Sequence, residues 1–271
     1  LLQGKSGFAL GITEPGAGSD NSAMITTAVH QGGKVVFNGV KTLITGAATC
    51  DYILLMAKNP DATDPRRAIS MYLVPLKTEG ISISLLEKIT WHSTNTCEVY
   101  FDNVEADESC LVGTKGNGFS QLMRNFEMER ILMAAQSLGL AECAFELAAS
   151  HAATRVQFGK PIGQFQIIQQ YLTDMAIKIE NMRNLVYTAA AKLDAGEPLK
   201  TYGAMTKRYC AIAGCEVVDT ALQIHGGMGL VVGAPISRIW RDIRVQRIGG
   251  GTDEVMVHII GRQIVRDHTP R

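Results

Sequence analysis

The sequence predicts a multi-domain α and β protein, with an antiparallel β-barrel domain over residues 1–114 followed by an antiparallel four-helix-bundle domain over residues 115–271. Three observations predict it. Short runs rich in Val, Ile, Thr, Tyr and Phe recur through the first 113 residues with no helical period between them. From Gly118 onward the apolar residues fall three and four apart. The change of period lies between Gly113 and Gly118.

In the first half the strands read as 8–12, 23–30, 34–41, 52–58, 68–75, 81–86 and 97–104. Turn-forming clusters such as Gln31-Gly32-Gly33 and Asn59-Pro60-Asp61 separate them. Evenly spaced strands without intervening helices predict an antiparallel barrel or sandwich rather than a βαβ sheet. In the second half the helical period covers 122–150, 165–195, 199–225, 237–246 and 252–267. Breaks at 157–163, 195–198, 226–235 and 249–251 are short, and long helices joined by short loops predict an antiparallel bundle.

Composition narrows the function classes. The chain has 271 residues, 26 Lys and Arg against 26 Asp and Glu, and no formal net charge. That balance argues against nucleic acid or a membrane surface as partner, since both are bound by excess Lys and Arg. No uninterrupted apolar run approaches the ~20 residues that span a bilayer. The six cysteines, Cys50, Cys97, Cys110, Cys143, Cys210 and Cys215, form no C-x-x-C pair, so no metal is expected. They read as reduced, small buried hydrophobes in a cytoplasmic, reducing compartment. The chain opens on Leu1 rather than a methionine, in apolar text that reads as strand. Its natural start is expected to lie further upstream.

Three places carry residues suited to chemistry. Thr13-Glu14-Pro15-Gly16-Ala17-Gly18-Ser19-Asp20 follows an apolar strand, and its turn either simply connects strands or turns backbone amides and hydroxyls toward a ligand. No third glycine or helical period follows, which removes a dinucleotide-fold reading. Glu129 lies on the stripe Phe119, Leu122, Phe126, Glu129, Met133, whereas Glu127 points elsewhere. A carboxylate on such a stripe is either a structural ion-pair partner or a group whose raised pKa suits a general base. The joints Gly226-Gly227-Met228-Gly229 and Gly249-Gly250-Gly251 are either tight bundle corners or, where the second opens a helix at Thr252-Asp253-Glu254, an anion seat.

Two basic segments accompany them. Arg238, Arg241, Arg244 and Arg247 recur every third residue and drift around a helix, which suits a solvated or subunit-interface face better than a phosphate clamp. Arg155-Val156-Gln157-Phe158-Gly159-Lys160-Pro161 ends a helix, as a cap or a phosphate clamp.

These motifs, together with Lys41-Thr42-Leu43-Ile44-Thr45 and Gln223-Ile224-His225-Gly226-Gly227-Met228-Gly229, occur in the order of the acyl-CoA dehydrogenase flavoproteins, which the chain resembles from Phe8 to about Arg266. Residues 126–130, 155–161 and 247–254 most resemble the carnitinyl branch, the crotonobetainyl-CoA reductase-like enzymes. The resemblance implies a middle β-barrel domain and a C-terminal four-helix bundle, with the family's N-terminal helical domain absent from this sequence. It further implies FAD as cofactor, an acyl-CoA substrate, electron-transfer flavoprotein as electron partner, and a homo-oligomer, a tetramer by preference.

By position, the resemblance puts Thr13 and Thr45 on the isoalloxazine edge, Thr45 near flavin N5, and Ser19 near the acyl-CoA. It puts Arg155, Gln157 and Phe158 against the FAD of a neighbouring subunit. Gln223, Gly226 and Gly227 fall on the same pyrophosphate and adenosine side, Thr252 and Glu254 along the adenosine half. Phe126 and Arg130 belong to the substrate-pocket helix. Many members carry a catalytic glutamate where this chain has Gly250. The isovaleryl and long-chain members instead place it just before an arginine on the bundle helix, and Glu129-Arg130 matches that pattern. Leu43 stands where many members have a tryptophan packed on the flavin. The implied reaction is removal of the α-proton by Glu129 and of the β-hydride by flavin N5, or the reverse reduction of an enoyl-CoA. The alternatives are an acyl-CoA oxidase and a non-catalytic FAD- or CoA-binding subunit, the latter needing no carboxylate at Glu129.

Overall fold

The structure is a computed structural model that describes residues 3–64 and 67–270. The apolar start at Leu1 and Leu2 lies outside the described residues. The chain forms two compact units, Leu1–Arg124 and Asn125–Arg271. The first helix begins at Gly118, where the period changes, and its opening turns belong to the first unit. Gly116 N–H donates to Ser70 Oγ at 2.8 Å, and a Cβ at Gly118 would stand 2.7 Å from the Ser70 carbonyl carbon.

The first unit is a seven-stranded curled sheet: β1 (Phe8–Gly11), β2 (Thr27–Gln31), β3 (Lys34–Thr45), β4 (Tyr52–Lys58), β5 (Ile69–Pro75), β6 (Ile81–Leu85) and β7 (Thr96–Asp107). Antiparallel ladders join β2 to β3, β3 to β7, β7 to β6 and β4 to β5. The sheet departs from a wholly antiparallel barrel in two respects. Strand β1 runs parallel to β4, from Phe8 opposite Tyr52 to Gly11 opposite Leu55, and β2 meets β4 in parallel where Thr27 faces Lys58. The long segment between β1 and β2 prevents a hairpin, so the two strands lie one after the other along the same edge of β4. With β5 and β6 as its edges, the sheet is a half-barrel. Its core alternates along part of β3 and β4, as at Val35 and Phe37 or Ile53 and Leu55, and is continuous over residues 69–72 of β5, with Phe37 edge-on to the fully buried Tyr72.

The second unit holds α1 (Gly118–Thr154, from Asn125 onward), α2 (Gln166–Asp194), α3 (Lys200–His225), the short α4 (Pro235–Ile243) and α5 (Asp253–His268). Ala134, Leu138, Ala141, Ala144 and Ala148 form the buried face of α1, and Met182, Val217 and Ile239 come to it from α2, α3 and α4. By length and composition α1 could also cross a bilayer, and that same apolar face fills the bundle core. Residues 155–161, read from the sequence as a cap or a phosphate clamp, form a two-strand hairpin, β8 (Val156–Gln157) and β9 (Lys160–Pro161). Its turn residues Phe158 and Gly159 have φ of 51° and 78°. A bulky residue at positive φ gives no sequence signal of a hairpin turn.

All six cysteines are free thiols. Cys97 and Cys210 are buried as expected of small hydrophobes, whereas Cys143 is exposed.

Candidate active site

In the first unit the loop between β1 and β2 is built on a buried ion pair. Lys41 Nζ donates to Glu14 Oε1 at 2.8 Å and to Ile12 O at 3.0 Å, and neither side chain is more than 2% exposed. Glu14 also accepts the N–H groups of Ile25 at 2.6 Å and Thr26 at 3.0 Å, so one carboxylate ties the start of the loop to its end. Burial pushes Glu14 up, but the Ile25 N–H, the Lys41 ammonium and Thr26 outweigh it and hold the carboxyl below its ordinary value. Burial pulls Lys41 down to about 8. Sequence reasoning placed Glu14 and Lys41 in separate motifs and missed their pairing.

That pair leaves the neighbouring groups exposed in a defined place. Thr42 N–H donates to Thr13 O at 2.9 Å, bringing half-buried Thr13 against the strand that carries Thr45. The β3–β7 register shifts between Lys41 and Ile44, and in that bulge Leu43 takes φ 59° and is 63% exposed. Thr45 is exposed at the end of β3. Ser19 is exposed further along the loop, next to Asp20, which caps a short turn through Ser22 N–H.

In the second unit the predicted stripe is observed, with Phe126 and Glu129 half-buried and Met133 buried. The carboxylate of Glu129 meets the second glycine joint. Its Oε1 lies 3.8 Å from where a Cβ on Gly250 would stand, and Met133 Sδ occupies much of that same space. Burial pushes the Glu129 carboxyl up, and adjacent Arg130 pulls it back only in part. The amide of Asn125 reaches Glu129 Oε2 at 3.5 Å. Arg130 is 5% exposed, its guanidinium 5.9 Å from the Phe126 ring centroid, and its Nε has no hydrogen-bond partner among the described residues.

The joint itself is pinned from below. Lys207, on α3 and 1% exposed, donates from Nζ to Gly251 O at 2.7 Å, and Arg247 Nε donates to Asp253 Oδ2 at 2.7 Å. Thr252 caps α5, its hydroxyl accepting from Val255 N–H at 3.3 Å, as the sequence predicted for a helix start. Glu254 is exposed in the first turn. The arginine stripe is mixed: Arg238 and Arg244 are exposed, while Arg241 bonds Ser237 and Arg247 bonds Asp253. Lys207 carried no signal in the sequence beyond being a lysine inside an apolar helical run.

The remaining predicted residues gather at another end of the bundle. His151 in the last turn of α1 stacks on His225 in the last turn of α3, with ring centroids 4.7 Å apart. This joins the hairpin carrying Arg155, Gln157 and Phe158 to the joint carrying Gln223, Gly226 and Gly227. All six are exposed, Phe158 by 95%. A Cβ on Gly226 or Gly227 would meet no atom within 4 Å, so their backbone is open to close approach. A guanidinium, two amides and open glycine backbone suit a pyrophosphate, and a bare aromatic ring suits an adenine or a neighbouring protein surface. Among the described residues no three His, Cys, Asp or Glu side chains gather as a metal site.

A half-barrel sheet with Thr13 and Thr45 at one strand end is thus followed by a helical unit that carries a half-buried carboxylate and an open glycine corner. Residues 9–104 match the acyl-CoA dehydrogenase middle domain and residues 116–265 the acyl-CoA dehydrogenase C-terminal domain. The chain belongs to the acyl-CoA dehydrogenase family. It is 52% identical over 268 residues to the probable acyl-CoA dehydrogenase YdiO of Escherichia coli K12, spanning 99% of this chain and 70% of that protein. The butyryl-CoA dehydrogenase of Megasphaera elsdenii superposes with a TM-score of 0.94 at 34% identity, over 98% of this chain and 70% of that one. A chain in the structure of the electron transferring flavoprotein of Acidaminococcus fermentans also reaches 0.94, at 36% identity and the same coverage. Membership implies an FAD-dependent dehydrogenase acting on an acyl-CoA.

Proposed function

We propose that the chain catalyses α,β-dehydrogenation of an acyl-CoA thioester, or the reverse reduction of an enoyl-CoA, with Glu129 as the proton-transferring base. The carrying observation is the 3.8 Å between Glu129 Oε1 and the Cβ position of residue 250. The two positions from which the resembling enzymes supply their base converge there, and Glu129 alone fills the spot with a carboxylate. Burial disfavours the ionised form, so the carboxylate gains basicity toward the weakly acidic α-carbon, which suits its task. It also argues against a degenerate, non-catalytic subunit, which would need no such group. Phe126 and Arg130, on the same helix as Glu129, are assigned to the substrate, as is Ser19.

Thr13 and Thr45 are assigned to the isoalloxazine edge. Arg155, Gln157, Phe158, Gln223, Gly226 and Gly227 are assigned to the pyrophosphate and adenosine, with Thr252 and Glu254 along the adenosine half. FAD, when bound, supplies the acceptor for the hydride leaving the β-carbon. The bare Phe158 ring supports a homo-oligomer, taken as a tetramer, in which the hairpin reaches a neighbouring subunit. The likeness to a chain in an electron transferring flavoprotein structure supports electron-transfer flavoprotein as redox partner. The carnitinyl branch, on residues 126–130, 155–161 and 247–254, and a cytoplasmic location complete the reading. The test is flavin bleaching in the FAD-loaded enzyme against a panel of acyl-CoAs that includes trimethylammonium-bearing ones. Bleaching by none of them rejects the reading, and bleaching by straight-chain substrates alone rejects the carnitinyl assignment.

A further inference from the structure

Lys207 has no part in the reaction just proposed, yet it is the most deeply buried cation described in the helical unit, at 1% exposure. Burial pulls its pKa down to about 8, with Asp253 and Glu254 on α5 opposing that fall and Arg130 on α1 and Arg247 adding to it. A methionine would fill the same channel without the desolvation cost. What a methionine lacks is a donor for Gly251 O, which Lys207 Nζ meets at 2.7 Å.

That carbonyl belongs to a segment whose other ties, Gly249 N–H to Val245 O and Arg247 to Asp253, flank it. Gly250 and Gly251 take φ of +60° and +96°, and neither has a side chain to wedge into the bundle. Their backbone nonetheless lies beside the Glu129 carboxylate, whose Oε1 stands 3.8 Å from the Gly250 Cβ position, with Met133 Sδ nearer still to that point. A charge-assisted bond from a packed helix is the device that holds such a segment.

We propose that Lys207 is a positioning residue that holds the Gly250–Gly251 backbone against Glu129, keeping that carboxylate dry and aimed. The inference rests on Glu129 being the base. Lys207 touches no reacting atom and acts only through Gly251. Burial is what raises Glu129, so a loosened segment admits water and returns the carboxyl toward its ordinary value.

The test is Lys207→Met in the FAD-loaded enzyme, with Lys207→Gln as a second variant should the first not fold. The Gln side chain is one bond shorter and falls short of Gly251 O. Expected are a kcat reduced about tenfold, a KM for acyl-CoA within about twofold of the parent, full FAD content, and an acid limb of kcat/KM displaced to lower pH. Parental kcat and acid limb in a folded variant overturn the proposal. Glu129→Gln is measured in parallel. If it keeps full turnover, the base assignment itself fails. If it is inactive while Lys207→Met behaves as the parent, only the role of Lys207 fails.

Discussion

Gly250 has no side chain, and Glu129 places its Oε1 3.8 Å from where one would begin. The two residues lie on α1 and on the joint before α5, far apart in sequence. Their proximity makes the proton-transfer assignment testable by removal, by titration and by transplantation.

Removing the carboxylate while keeping its shape, as in Glu129→Gln, is expected to lower kcat by about 10²–10⁴-fold. FAD content and the unfolding midpoint should stay near the parent. Undiminished flavin reduction by acyl-CoA rejects the assignment.

The pH profile carries a sign. Burial raises the Glu129 carboxyl above its ordinary value, and a base must be unprotonated to act. Activity is therefore expected to fall on acidification with a midpoint above 4.5, the ordinary value for Glu. A profile flat down to that value contradicts it.

Transplanting the base should fail for a steric reason. In Glu129→Gln/Gly250→Glu the new Cβ meets Met133 Sδ closer than any real contact, at a backbone φ of +60°. The double variant is expected to be inactive and less stable by about 1–3 kcal/mol. Adding Met133→Ala should restore measurable turnover. Turnover without that third change shows that Met133 does not guard the place.

The ion pair under the first-unit loop sets a stability expectation. Either Glu14→Gln or Lys41→Met leaves a buried charge without its partner and should cost about 3–5 kcal/mol in denaturant unfolding. The double variant should cost less than the two singles added. Strict additivity would show that the pair is not coupled.

Much of this was readable from the chain. Strand β4 and the ends of α3 follow the residue pattern closely, because a bounded apolar run and a glycine stop leave little choice. Glu129 was legible because a carboxylate interrupts an apolar stripe at helical spacing. The bond from Lys207 to Gly251 was not, since a buried lysine and a snorkelling one look alike in a helical run and its partner is a backbone oxygen. Nor was the pairing of Glu14 with Lys41, 27 positions apart. The parallel meeting of β1 with β4 also lay beyond local pattern, because strand direction is decided by where the loop returns.

That return has a consequence for how the chain could change. Because β1 and β2 abut the same edge of β4, everything from Ile12 to Thr26 is an excursion that departs from and rejoins one line of the sheet. Glu14 knots the excursion at its neck through Ile25, Thr26 and Lys41. The exposed residues beyond the neck, unlike buried Ala17 and Met24, can be changed without moving any ladder, so this rim and the sheet that carries it are separable pieces of one polypeptide.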